Sequence, residues 1–282
     1  MLFDLQSPRR RRVIRVTFGG LALIFAISFV FLGVGTGGGG FSLSDLFGGG
    51  GGGSTATAFD DQIDAAQKKL EVNPSDTTAL ANLVQLQYSA ANANTQSNGA
   101  PTSEGEQHLQ EAADAWNKYV KLSKGDPSSS TAVYALNTFD LLARLNFAKA
   151  RTDTTNSDAL SDVTAAVDSW KTAAQAQQIL IDARPNKPNA NSYANLAQYL
   201  YLAGDTKGGD QALAAAKQQK GADAATLESQ LKSVQQLGQQ LQTAITQLTK
   251  AQQKSQGAQG ASPGGAPSGG GNPLSGLGTG GL

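Results

Sequence analysis

His108 is the only histidine in 282 residues, and Glu104, Glu106 and Glu111 lie close to it in sequence. On a helix, His108 and Glu111 would be i,i+3 neighbours on one face. Two such groups do not make a metal site, because zinc takes four donors in a closed site and three plus water in a catalytic one. A catalytic dyad would need a nucleophile held against the base in a pocket. The chain has no cysteine, which excludes disulfides, thiolate nucleophiles and cysteine-based metal sites. No glycine run follows a strand pattern as a phosphate-binding loop must. These residues predict no catalytic side chain, no cofactor and no metal, with His108 a solvated surface residue. Trp116 and Trp170 read as packing between helices. An enzyme or metal-binding domain stays as the alternative from another functional class.

The elements that carry these residues are set by composition. Of the 33 glycines, 12 fall in residues 33–53 and 11 in residues 257–281, so the foldable part runs from about Ala58 to Lys254. Net charge is zero overall, yet residues 1–15 carry five arginines against Asp4, or +4. No basic stripe accompanies the foldable part, which argues against nucleic acid as a partner.

The arginines precede an uncharged apolar run, Val16 to Gly35, of 20 residues. That length suits a helix crossing the hydrocarbon layer, and basic residues on its N-terminal side keep that side cytoplasmic. The expectation is a single-pass protein of the cell membrane: a cytoplasmic leader at 1–15, a transmembrane helix at 16–35 and an extracytoplasmic C-terminal domain. A cleaved signal peptide is the competing reading, although no Ala-x-Ala site follows the run. Residues 36–57 form a Gly/Ser-rich flexible linker interrupted by Phe41-Ser-Leu-Ser-Asp-Leu-Phe47. At about 20 residues its r.m.s. reach is roughly 25 Å.

Beyond residue 58, apolar residues recur at three- and four-residue intervals, and no period-2 run appears. The spacing predicts helices near 59–72, 77–92, 105–123, 129–149, 158–183, 190–203, 206–219 and 222–254. Asn73-Pro74, Asp126-Pro127, Arg184-Pro185, Lys187-Pro188 and Gly204-Asp205 punctuate them. Residues 12, 8 and 5 before Pro127 are Ala115, Tyr119 and Leu122, and the same offsets before Pro188 give Ala176, Leu180 and Ala183. A small residue at the first offset lets two helices approach, and a large one fills the gap.

This pattern resembles the tetratricopeptide repeat family, whose unit is a 34-residue helix-turn-helix. Residues 190–223 fit that frame best, with Gly209 where the family prefers Ala; residues 77–127 and 128–188 fit with the inter-helix turn lengthened near 93–104 and 150–158. The resemblance implies an all-α, helical-hairpin solenoid over 58–223. It also implies a concave groove lined by the first helix of each pair. That groove would carry Asn82, Gln85, Asn137, Arg144, Asn191, Asn195, Gln198 and Tyr201 as protein-binding residues. Family members that clamp a peptide carboxylate use Lys and Arg in this groove. Arg144 is the only basic residue among these positions, so neutral hydrogen bonding to a protein surface is expected instead. The short leader and the Phe-Val-Phe-Leu-Gly-Val-Gly exit of the anchor also resemble extracytoplasmic chaperone accessories of the Sec translocon. Translocon subunits or extracytoplasmic chaperones are therefore expected partners, and an envelope-assembly scaffold unrelated to secretion is the alternative.

Leu227, Leu231, Val234, Gly238, Leu241, Ile245 and Leu248 form a seam at alternating four- and three-residue steps within 224–254. Such a helix either caps the last repeat, as solenoids require, or pairs with another helix. Residues 255–282, rich in Gly, Pro and Ser, read as a disordered tail.

Overall fold

Short polar residues set the helix starts. The Asp76 carboxylate accepts from the N–H groups of Thr78 and Ala79, and Thr102 Oγ1 accepts from Gly105 N–H. Thr155, Asn189 and Asp205 do the same for three later helices. Each satisfies N–H groups that the first helical turn leaves without a partner, a contribution of about 1 kcal/mol. The computed structural model describes residues 55–97, 99–183, 188–258 and 272–277. The leader, the expected transmembrane helix at 16–35 and the linker up to Ser54 lie outside the described residues. Among the described residues no helix is long and apolar enough to cross a membrane.

The described chain is all-α. Its helices are α1 (Thr55–Val72), α2 (Thr77–Ala93), α3 (Ser103–Leu122), α4 (Ser129–Thr152), α5 (Asn156–Asp182), α6 (Ala190–Leu202), α7 (Thr206–Lys217) and α8 (Ala224–Ala258). Helices α2 and α3, α4 and α5, and α6 and α7 pack as consecutive hairpins, with α1 against α2 and with α4 touching both α2 and α3. Ala115 and Ala176, picked out by their distance from proline, are buried, and Tyr119 is buried with its hydroxyl accepting from Ser128 N–H at 2.8 Å. Ala183 is exposed and fails the same rule, as does Leu122, which stays 37% exposed. Leu122 is the last residue of α3, where the chain already turns away through Ser123 to Gly125.

The two expected long turns differ. Residues 94–97 and 99–102 do form a loop, closed by Thr102 N–H and Oγ1 donating to Asn94 O at 2.9 and 3.1 Å. The expected insertion near 150–158 is mostly helix instead: α4 runs to Thr152 and α5 starts at Asn156, giving helices of 24 and 27 residues. The extra turns bury Ala150 and Ala159 completely. Within this long hairpin Trp170 is 0% exposed and meets the Phe147 ring, centroids 5.9 Å apart and tilted.

Helix α8 packs on α5, α6 and α7, and its seam leucines Leu227, Leu231, Leu241 and Leu248 are buried. Capping of the last hairpin is thus the arrangement seen along its length. Gly238 makes the approach possible: a Cβ there would lie 2.0 Å from Tyr201 O. Replacing Gly238 by Ala gains about 1 kcal/mol of helix propensity. It also forces a side chain onto backbone, and overpacking of that kind costs typically 1–3 kcal/mol or more. The G238A chain should be net destabilised by about 1–2 kcal/mol, which for a domain of this size lowers the Tm by roughly 2–8 °C. Thermal unfolding beside Gln239→Ala, an exposed neighbour, checks this; an unchanged or raised Tm for G238A would exclude the contact.

Candidate functional site

Neutral hydrogen-bonding groups gather where α2 faces the start of α4. Asn82 and Gln85, one turn apart on α2, look across to Thr131 and Tyr134 on α4. Tyr119 of α3, the N-cap Ser128 and Ser130 in the first turn of α4 close one end, and Thr77 and Thr78 close it at the start of α2. The cavity between them is about 290 Å³. None of the residues lining it is charged. The Tyr134 ring lies tilted against Tyr88, centroids 5.9 Å apart, and burial, then Tyr88, pushes its phenol above the usual range. The hydroxyl therefore stays protonated and able to donate at neutral pH. A wall of amides and hydroxyls without fixed charge exchanges hydrogen bonds with a peptide backbone or a neutral protein surface at little desolvation cost.

Two of the eight expected groove residues, Asn82 and Gln85, line this cleft. Asn137 lies one turn beyond Tyr134 and is half-buried. Further along α4, Arg144 Nε donates to Asp140 at 2.9 Å, so the single cation of the set is already paired. On α6, Asn191 is exposed while Asn195 and Gln198 are half-buried. Helix α6 contacts α5, α7 and α8 rather than α4, so the α6 residues do not extend the α2–α4 cleft. Tyr201 is 2% exposed and donates to Asp210 of α7 at 2.8 Å. It belongs to the packing of α6, not to a groove, because its helix end is enclosed by α7 and α8.

Sequence patterning misses Ser128, Ser130, Thr131 and Tyr134 as lining residues. Pro127 marks the start of the helix that carries them, yet which face of α4 meets α2 depends on packing between elements. His108 differs from the expected solvated side chain. It is half-buried, and its Nδ1 lies 2.6 Å from Gln87 Oε1. Gln87, only 1% exposed, donates in turn to Glu111 at 2.5 Å. The three side chains tie α2 to α3.

Asp140, on α4 beyond the cleft and near Tyr199 of α6, provides a test of the electrostatics. Burial raises its carboxyl above the usual range despite the attraction and hydrogen bond of Arg144, which pull the other way. The adjacent Tyr199 phenol is raised by its own burial first, then by Asp140. A raised carboxyl pKa means that the folded chain holds the Asp140 proton more tightly than the unfolded chain does. The stabilisation it brings is present below about pH 4, the unfolded range, and is lost as pH climbs through the raised folded value. Asp140→Asn should therefore raise the Tm at pH 7, with the gain shrinking to nothing near pH 3. Melts of the two chains across that range check the sign, and a lower Tm for D140N at pH 7 would show that the Arg144 pair outweighs burial.

Comparison with family models, curated proteins and solved structures finds no match to this chain.

Proposed function

We propose that this chain is a single-pass membrane-anchored, tetratricopeptide-like protein that docks other envelope proteins outside the cytoplasm through the neutral cleft between α2 and α4. It acts as a binding accessory of the translocon or of extracytoplasmic chaperones rather than as an enzyme. The observation that carries this reading is the cleft's lining, hydroxyls and amides with no charged side chain. Such a surface suits sequence-tolerant contact with extended or newly emerged chains, because it asks for backbone hydrogen bonds and no particular counter-charge. Three consecutive helical hairpins support the repeat reading. The uncharged run at 16–35, flanked by arginines on one side only, supports the anchor and its orientation.

Photo-crosslinking in native membranes tests the proposal. Probes at Asn82 and Gln85 should crosslink to translocon subunits, extracytoplasmic chaperones or emerging secretory chains, and a probe at exposed Lys232 on α8 should not. Crosslinks from the two cleft positions confined to a cell-wall assembly complex would replace the secretion role with the scaffold alternative. Equal crosslinking from all three positions would remove the cleft as the binding surface.

A further inference from the structure

Residues 272–277 sit against the folded domain, although 13 residues, 259–271, separate them from the end of α8. Asn272 Nδ2 donates to Ala150 O at 2.6 Å and to Asp153 O at 3.3 Å. Those carbonyls belong to the C-terminal end of α4, where a helix leaves its last acceptors unpaired. Asn272 Oδ1 meanwhile accepts from Leu274 N–H at 2.9 Å, and Leu277 N–H donates to Leu274 O at 3.1 Å. This small turn presents Leu274, which is 0% exposed and joins the main hydrophobic core. Pro273 and Leu277 line one cavity together with Ala244 and Gln247 of α8, and Leu277 packs against the core. The same end of α4 keeps two buried polar atoms, Arg151 Nε and Asp153 Oδ2, without a hydrogen-bond partner.

A polar anchor on helix-end carbonyls and a fully enclosed leucine two residues later are the two halves of short-peptide recognition: one fixes register, the other supplies buried apolar surface. We propose that the socket formed by the α4–α5 turn and α8 is a peptide-recognition site for a segment of the type Asn-Pro-Leu-Ser-Gly-Leu, held in cis by the chain's own residues 272–277. Asn272 reads the helix end and Leu274 fills the socket. A tether of this length holds the segment at an effective concentration on the order of millimolar. Occupancy in about nine molecules of ten then requires a free-peptide Kd of about 100 µM or tighter.

The test uses the full-length chain in detergent with Asn272→Ala and Leu274→Asp together, which vacate the socket, and a fluorescein-labelled peptide of residues 270–279. The peptide should bind this double variant saturably with a Kd of about 100 µM or tighter, and bind the unaltered chain at least about tenfold more weakly, because there the site is filled. A peptide carrying the Leu274→Asp change should bind neither chain. No saturable binding below about 1 mM by a double variant that keeps its helical circular dichroism would overturn the proposal, as would equal binding to both chains. Should the double variant lose its helicity, hydrogen exchange of the unaltered chain decides: the Leu274 and Leu277 amides should exchange at least about tenfold more slowly than those of residues 278–282, independently of protein concentration. Exchange as fast as the terminal residues would leave the segment undocked. Protection that fades on dilution would show a second copy's tail in the site and overturn the assignment in cis.

Discussion

The end of α6 is the point on which the C-terminal half depends. Tyr201 is enclosed there by two helices that each present a glycine. A Cβ at Gly209 would fall 2.4 Å from the tyrosine ring, and a Cβ at Gly238 would meet the Tyr201 carbonyl at 2.0 Å. Helices α7 and α8 therefore reach α6 at backbone range, and the buried phenol needs a partner, which Asp210 provides. Gln235 of α8 donates to the same carboxylate at 3.2 Å. One side chain thus fixes three helices, and the direction in which α8 leaves this contact carries it back along α5. A larger residue at Gly238 would press α8 against the α6 backbone, and one at Gly209 would press α7 against the Tyr201 ring.

Local signals made the helices legible and left their partners open. All eight expected helices exist, with ends displaced by up to four residues, because periodicity, caps and prolines act within a turn or two of chain. Gly209 and Gly238 look like defects in a repeat and a seam when only neighbours in sequence are considered. Their purpose depends on Tyr201, which approaches from another helix. The placement of Tyr201 in a groove failed for the same reason: the 3.6-residue period ranks faces of α6 but does not say which neighbour covers each one. The α4–α5 turn misled in another way. Polar residues 151–158 read as loop, yet Thr, Asp and Asn also cap and end helices, and here three residues suffice for the turn.

The α2–α4 cleft and the α8 side of the domain differ in what holds them. Near α8 the contacts are apolar and close. At the cleft the polar groups on the walls are largely uncommitted, while contacts of the same helices elsewhere are fully used: Gln87, on the α3 side of α2, bridges His108 and Glu111, and Tyr119 holds Ser128. A buried amide with both ends bonded fixes the relative slide of two helices more sharply than apolar contact does, since any shift leaves a donor or acceptor unpaired. The surface above can then offer its hydroxyls and amides at fixed spacing, which lowers the ordering cost of binding.

The longer second hairpin creates the need that the tail meets. Extending α4 to Thr152 carries its terminal carbonyls beyond the first hairpin, and the three-residue turn into α5 is too short to fold back over them all. Asp153 N–H satisfies Lys149 O, but Ala150 O is left for a group from elsewhere. Asn272 supplies it from 122 residues away. Distance along the chain is a small obstacle, because closing a longer loop costs only about 0.6 kcal/mol for each doubling of its length. Burying Leu274 returns roughly 1.5–3 kcal/mol, which outweighs that increment. A glycine-rich tail can therefore end in a specific contact, provided that the contact concentrates its apolar burial in one residue and its register in another.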